Sequence, residues 1–178
     1  MHSLARILST RFLTLSVKES ALLLFAASVG SLLTAYVAET FFGVLPCVLC
    51  LYQRVPYAVV VVLSLLAFVS TVLIRGRAAR GLLLLCAFAF FVNAGIASFH
   101  SGVELHWWQG TDGCAVNPLV IQELKDPTAA REALMATPVV RCDAVNFTFL
   151  GFTMANWNIL ASLAFGAFAL FAARRRKG

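Results

Sequence analysis

Four long stretches of the chain contain no Asp, Glu, Lys or Arg and consist mainly of apolar residues. They cover about 20–38, 55–74, 81–103 and 152–172. The hydrocarbon core of a bilayer is about 30 Å thick, and a helix of roughly 20 apolar residues spans it. Because backbone groups in lipid have no water to bond, each stretch must be helical. The pattern predicts an all-α membrane protein, a bundle of four transmembrane helices with two outer loops.

The first stretch follows a basic N-terminal segment, as the apolar region of a signal peptide does. Its apolar run is longer than that region usually is, and Tyr36 and Ala38 make a poor small-x-small cleavage site. We therefore interpret it as a retained helix. Within the spans, Gly30, Gly95 and Gly166 either mark close helix contacts or reflect the ordinary use of glycine in membrane helices.

The composition excludes soluble and disordered proteins. Of 178 residues, 61% are hydrophobic and 12% are charged, and the mean hydropathy is +0.88. Soluble domains contain about 45–50% apolar and about 25% charged residues. Disordered chains are less hydrophobic still. The length suits a single membrane domain over 1–178.

The net charge of +6 reflects membrane topology rather than a surface that binds nucleic acid. Ten of the fourteen Lys and Arg residues form three clusters beside the uncharged stretches: Arg6, Arg11 and Lys18; Arg75, Arg77 and Arg80; Arg174, Arg175, Arg176 and Lys177. The segments 39–54 and 104–143 instead hold seven acids and four Lys or Arg. The positive-inside rule then predicts that both termini and the tight turn at 75–80 are cytoplasmic, and that both acidic segments face outward.

The second outer segment, at about 104–151, is the only sizeable predicted loop. Trp107 and Trp108 lie where an outer aromatic belt is expected. The part at 118–136 predicts one or two short amphipathic helices on the membrane surface, broken at Pro127.

Four of the five cysteines lie in the predicted outer segments. Cys47 and Cys50 form a C-x-x-C in the first of them, Cys114 and Cys142 lie in the second, and Cys86 lies inside the third span. Cysteines in an oxidising compartment tend to pair. Cys114 and Cys142 either staple the long loop or take part in thiol exchange. The C-x-x-C indicates redox exchange, and the alternative is a metal site of four thiolates. Cys86 is expected to be a small buried hydrophobe.

The surroundings of the C-x-x-C favour the redox interpretation. Pro46 precedes it, so the second helix should begin nearby and place both thiols at its positive end. Arg54 lies four residues after Cys50 on the same helix face and can stabilise a thiolate, unless it only extends to the membrane interface. No haem-attachment motif or dinucleotide-binding fingerprint is present, so a lipid-soluble quinone is the acceptor that fits a thiol pair at the membrane surface.

These residues resemble the DsbB family of bacterial inner-membrane disulfide bond formation proteins. The first-loop signature is 46–54 (PCVLCLYQR). The segment 99–104 (FHSGVE) is similar to the end of the family's third helix, and 149–158 (FLGFTMANWN) to the entry of its fourth helix. Cys114 and Cys142 match its second-loop pair in order and approximate spacing. Gln53 stands where some members have Glu, so we expect no acid beside Arg54 here.

The resemblance implies a membrane thiol:quinone oxidoreductase that reoxidises a periplasmic DsbA-like dithiol oxidase, using ubiquinone or menaquinone as its cofactor. It implies two disulfides, Cys47–Cys50 and Cys114–Cys142, and no metal. The partner would attack Cys114, the freed Cys142 would attack Cys47, and Cys50 would be released as a thiolate beside the quinone. Arg54 and His100 are then expected to contact the quinone together with Cys50.

Less specific roles are expected for the other polar residues. His106 is expected to be a plain loop residue, and Glu39 and Glu104 to be solvated helix caps. Asn93, Asn156 and Asn158 are candidates for hydrogen bonds between helices, the last two also for caps.

Two other functions stay open on the sequence. One is a sibling oxidase dedicated to a particular DsbA-like partner. The other is a metal-binding or purely structural membrane protein, in which the cysteines are ligands or staples. An enzyme similar to vitamin K epoxide reductase is disfavoured by the motif order.

Overall fold

The computed structural model describes residues 15–73, 77–110, 141–145 and 148–175. In chain order the elements are α1 (Val17–Phe42), α2 (Val48–Leu73), α3 (Arg77–Glu104), β1 (Thr148–Phe149), β2 (Phe152–Thr153) and α4 (Met154–Arg174). All four helices are long and apolar enough to cross a membrane. The predicted four-helix membrane bundle is confirmed. Cys114, the segment 118–136 and the basic residues Arg6, Arg11, Arg75, Arg176 and Lys177 lie outside the described residues.

Helix α1 begins and ends with standard caps, and its C-terminal cap lies beyond the predicted boundary. Ser16 and Glu19 form a reciprocal capping box, in which the Ser16 N–H donates to Glu19 Oε2 over 2.7 Å. The helix ends at Gly43, whose φ of 64° lies in the left-handed region that glycine adopts without strain. Glu39, which was predicted to open the first outer segment, lies in the last turn of this helix. Nothing in 39–42 breaks the helix before the glycine.

Helix α2 begins seven residues earlier than the predicted span, so the loop expected over 39–54 is reduced to 43–47. Cys47 caps the helix. Its carbonyl accepts from the Leu51 N–H (3.1 Å) and its Sγ from the Cys50 N–H (3.4 Å). The prediction placed the boundary at Arg54 because charge marks the edge of the lipid core. A backbone helix nevertheless continues into the interface, and Arg54 therefore lies on α2 one turn after Cys50.

The remaining boundaries differ by smaller amounts. Helix α3 already begins at Arg77, so most of the predicted 75–80 turn is helical. The two residues at 152–153 pair with β1 in a short hairpin, and α4 starts at Met154 after an N-cap bond from the Asn156 N–H to Thr153 Oγ1. The hairpin turns at Leu150 (φ 52°) and Gly151 (φ 80°).

Helix α3 packs against both α2 and α4, and α1 lies against α2. The innermost side chains are Leu24, Val60, Leu83, Cys86 and Phe90, each with at most 1% of its surface exposed. The buried position of Cys86 agrees with the sequence-based expectation. Because lipid is as apolar as these side chains, helix association depends on close packing and interhelical hydrogen bonds rather than on the hydrophobic effect.

One of the three helix glycines marks a close contact. A Cβ at Gly166 would lie 3.2 Å from the Phe91 ring, whereas a Cβ at Gly30 or Gly95 would have nothing within 4 Å. Both alternatives given for these residues therefore occur. Close approach explains Gly166, and ordinary use explains Gly95. Gly30 instead borders a cavity described below.

Candidate active site

The C-x-x-C thiols and Cys142 meet at the end of the bundle where α2 begins. Cys47 Sγ donates a hydrogen bond to Cys50 Sγ, with the sulfurs 3.1 Å apart. The side chain of Cys142 forms a further hydrogen bond with Cys47. Cys47 and Cys142 are 4% and 1% exposed and pack with Leu49 and Val103. Two cysteines that are 95 positions apart in sequence are therefore neighbours inside the protein.

Cys47 holds its proton strongly. The hydrogen bond with Cys142 lowers the pKa of Cys47, but the hydrogen bond to Cys50, burial and the nearby charge of Cys50 outweigh it and raise this pKa to about 12. In the dithiol state Cys47 is accordingly the donor, and its proton points at the Cys50 sulfur. This proton stabilises a Cys50 thiolate. Cys50 also lies in the first turn of α2, where the positive end of the helix stabilises a thiolate further.

His100 joins the thiols from α3. It is 4% exposed, and its Nε2 lies 3.5 Å from Cys47 Sγ and 3.8 Å from Glu104 Oε1. On the other side of the ring, Nδ1 lies 2.9 Å from Gln53 Nε2. The amide donates to Nδ1, so the ring proton resides on Nε2 and points toward the thiols. His100 is thus a buried neighbour of the redox pair and not an interfacial histidine that faces water.

A chain of amide and hydroxyl groups supports Gln53 from within the bundle. Asn158 Nδ2 on α4 donates to Gln53 Oε1. Asn158 Oδ1 in turn accepts from Tyr57 Oη (2.7 Å) and Asn93 Nδ2 (3.3 Å). Asn93 also donates to Ser162 Oγ over 2.8 Å. These bonds join α2, α3 and α4, and they fix which end of the Gln53 amide faces His100. The expected interhelical role of Asn93 and Asn158 is confirmed.

Arg54 lies near an acid, contrary to the expectation drawn from Gln53. Arg54 Nη1 is 2.9 Å from Glu39 Oε2, and the two side chains are 30% and 32% exposed. The acid comes from α1, so local sequence around Arg54 contained no sign of it. Glu39 was expected to be a solvated cap, and this is wrong because it lies within a helix and pairs with Arg54.

Glu104 differs from its expectation as well. Its side chain is only 8% exposed, and its Oε2 accepts from Thr153 Oγ1 over 2.6 Å. It ends α3 but is held between His100 and the start of α4, so it is not a solvated cap. Asn156 bonds across the same interface, accepting from Ser101 Oγ over 2.7 Å.

The exposed rim next to Cys142 carries an ion pair between Arg141 and Asp143. Arg141 Nε lies 2.9 Å from Asp143 Oδ1. The guanidinium holds the pKa of Asp143 below its usual range, so the pair stays charged. His106 is exposed, and its left-handed backbone (φ 57°) ends the turn after α3, which agrees with a loop role.

A cavity of about 530 Å³ opens beside the thiols. Apolar residues of α1 and α4, such as Ala35 and Ala161, form much of its wall. The polar groups that reach it include Cys50, Arg54 and His100. The structure therefore brings all three residues predicted to contact a quinone to one cavity. Sequence reasoning missed Gln53 and Tyr57 on the same wall, because nothing in their local patterns distinguishes them from ordinary helix residues.

Comparison with known proteins finds several relatives of similar length. The chain is 29% identical over 165 residues to Disulfide bond formation protein B of Herminiimonas arsenicoxydans, covering 90% of this chain and 99% of that protein. It is 32% identical over 149 residues to Disulfide bond formation protein B 2 of Pseudomonas entomophila, covering 81% and 83%. The corresponding protein of Xanthomonas campestris is 28% identical over 158 residues, covering 88% and 90%.

No solved structure matches the chain. The family model for Disulfide bond formation protein DsbB matches residues 17–172. This match begins at the first residue of α1 and extends into the last turn of α4, and thus includes every cysteine discussed above. Because it covers the whole bundle and not only the C-x-x-C, the chain belongs to the DsbB family of disulfide bond formation proteins.

Proposed function

We propose that the chain reoxidises a periplasmic DsbA-like dithiol oxidase and passes the electrons through two cysteine pairs to a membrane quinone. The observation that carries this proposal is the position of Cys142 against Cys47, beside a cavity that Cys50 also borders. A relay between two cysteine pairs needs one member of each pair in contact. It also needs the far sulfur of the second pair to reach the electron acceptor.

The thiol steps balance as a series of exchanges. A thiolate of the reduced partner attacks Cys114 of a Cys114–Cys142 disulfide and releases Cys142. Cys142 attacks Cys47 of a Cys47–Cys50 disulfide and releases Cys50 as a thiolate. The partner's second thiol resolves the mixed disulfide, which leaves the partner oxidised. Cys114 then attacks Cys142 of the Cys142–Cys47 disulfide and releases Cys47, so Cys47 and Cys50 remain as a dithiol with the two electrons and two protons.

The cavity residues fit a quinone. Its volume lies within the range of about 300–1,000 Å³ that is usual for small-molecule sites, and its apolar wall suits a ring with a hydrocarbon tail. Arg54 and His100 supply donors for carbonyl oxygens. A ubiquinone or menaquinone held by Arg54 and His100 would supply the acceptor for the two electrons and two protons that Cys47 and Cys50 give up when they close to a disulfide.

Three side chains have separate tasks in this scheme. Arg54, one turn after Cys50, stabilises its thiolate, because a partly desolvated anion without a nearby cation is costly. His100 holds an N–H at the Cys47 sulfur and positions the thiol. Gln53 holds the His100 ring in this orientation through its contact with Nδ1. The two cysteine pairs face the periplasm of a bacterial inner membrane, with both chain termini in the cytoplasm.

The test is reconstitution with a reduced DsbA-like protein and a defined quinone. We expect one quinone reduced for each partner dithiol oxidised. Cys50→Ser should abolish quinone reduction and still form the mixed disulfide with the partner. The matched control is Cys86→Ala, which removes a thiol buried in the core and should turn over at a near-normal rate. Normal quinone reduction by Cys50→Ser would refute the relay, and so would stoichiometric resident metal without any quinone reduction.

A further inference from the structure

We infer that the dithiol form of this protein binds a soft divalent cation such as Zn²⁺ through Cys47, Cys50 and His100. The two Sγ atoms and the Nε2 atom all lie within 4.8 Å of one another. The inference concerns a site of three donors that belongs to the reduced chain. It is distinct from a structural site of four cysteine thiolates.

The spacing of the donors fits tetrahedral coordination. With Zn–S near 2.3 Å and Zn–N near 2.0–2.1 Å, neighbouring ligand atoms lie about 3.5–3.8 Å apart. Cys47 Sγ is 3.5 Å from His100 Nε2 and 3.1 Å from Cys50 Sγ. The donors therefore need to move by only about an ångström or less to surround an ion. Two cysteines and one histidine with an open fourth position is an established zinc ligand set.

The surroundings of the three donors suit an ion as well. Cys47 and His100 are buried, and both lie on rigid parts of the bundle, at the start of α2 and near the end of α3. Gln53 lies 2.9 Å from His100 Nδ1. Binding at Nε2 needs the ring proton on Nδ1. The amide must then turn by half from its metal-free orientation to present its oxygen to Nδ1–H, and it gives up its bond from Asn158 Nδ2. The adjoining cavity supplies a route of entry.

Metal binding and disulfide formation exclude each other at these sulfurs. Binding replaces the two thiol protons with the metal, so up to two protons are released and no electrons move. A Cys47–Cys50 disulfide has no thiolate to offer, so only the reduced chain binds. An ion held there prevents the dithiol from closing. That inhibitory consequence rests on the proposed function, whereas the binding itself does not.

The experiment uses the full-length protein in detergent, reduced and freed of reductant without oxygen, and titrated with Co²⁺ as a spectroscopic probe. We expect thiolate-to-cobalt charge transfer and tetrahedral d–d bands that saturate at one ion per chain and disappear when Zn²⁺ is added. Oxidised protein should show none of these bands. Cys86→Ala is the matched control and should bind like the unmodified chain.

Variants at the ligands decide the assignment. Cys50→Ser should weaken binding and lower the intensity of the charge-transfer band, because only one thiolate ligand remains. His100→Ala should weaken binding by about 100-fold or more, since even residues that only hydrogen-bond to a metal ligand contribute about 10–100-fold. His100→Cys restores a soft donor and should recover metal binding. Recovery would show that the loss in His100→Ala does not come from misfolding. Absence of tetrahedral bands in the reduced unmodified chain overturns the inference, as does unchanged binding in both Cys50→Ser and His100→Ala. Quinone reduction measured in parallel tests the proposed function separately.

Discussion

At the scale of single residues, the pairing of Arg54 with Glu39 is the feature that most changes the chemistry expected from the sequence. A guanidinium that is 2.9 Å from a carboxylate divides its charge between that partner and any anion on its other side. Both side chains are about one-third exposed, so water screens the pair and its energy is small. Arg54 can therefore still act on the Cys50 thiolate one turn away.

Removing the cation tests its role at the cavity. Arg54→Met should raise the apparent KM for quinone and leave mixed-disulfide formation with the partner unchanged, because in the proposed mechanism that exchange takes place at Cys114. Arg54→Lys should have a milder effect, since the charge survives although the planar fork is lost. The measurements are single-turnover trapping of the mixed disulfide and quinone reduction over a range of quinone concentrations. Unchanged quinone kinetics in Arg54→Met would show that the residue is only an interfacial anchor.

Removing the acid tests the competition directly. Glu39→Gln releases Arg54 from its partner, and we expect the apparent KM for quinone to fall by about two- to fivefold, which corresponds to the energy of a partly exposed ion pair. The effect should shrink as salt is added, because screening weakens the pair in the unmodified chain. Glu19→Gln is the matched control, since Glu19 lies on the same helix in the N-terminal capping box. A rise in KM would mean that Glu39 positions Arg54 productively.

At the scale of the helices, the hydrogen bonds around Asn158 connect packing to the site. Asn158 bonds to Gln53 and Tyr57 of α2 and to Asn93 of α3, all from α4. In lipid these groups have no water to bond, so they bond to one another and join the three helices. The same bonds orient Gln53, whose amide contacts His100.

Replacing that amide should weaken the bundle. Asn158→Leu leaves several buried donors without an acceptor, and we expect the free energy of unfolding to fall by about 1–3 kcal/mol in a detergent titration. Ser98→Ala is the matched control, because its hydroxyl bonds only to the Ala94 carbonyl of its own helix over 2.7 Å, and it should change stability by less than about 0.5 kcal/mol. Equal effects of the two variants would show that the connection between helices contributes nothing of its own.

At the scale of the whole molecule, the proposed mechanism requires one orientation in the membrane. In a background without other cysteines, we expect a membrane-impermeant maleimide to label Gln109→Cys on intact spheroplasts. It should label Ala78→Cys only after lysis. Both positions are exposed and lie at opposite ends of α3. The same result is expected for a cysteine at Gly178, on the side of the basic clusters. Labelling of Ala78→Cys on intact cells would reverse the orientation and exclude periplasmic thiols.

Much of this protein follows from local features of the chain. The four spans are evident because lipid demands about 20 apolar residues in a row, and that property can be read one segment at a time. The C-x-x-C and the position of Arg54 one helix turn after Cys50 are also evident, because they lie within one short segment. Helix ends were less predictable. Charge marks where lipid stops, whereas Gly43 and the Cys47 cap determine where the hydrogen-bonded backbone stops.

The tertiary structure decided what no segment contains by itself. Cys142 meets Cys47, Glu39 pairs with Arg54, and Gln53 holds His100, and each of these contacts joins residues from different elements. Their distances depend on how the helices pack and rotate against one another, and a hydrophobic pattern leaves that open since all lipid-facing sides look alike. The sequence by itself determined a membrane bundle bearing redox cysteines. Packing determined which side chains surround those sulfurs.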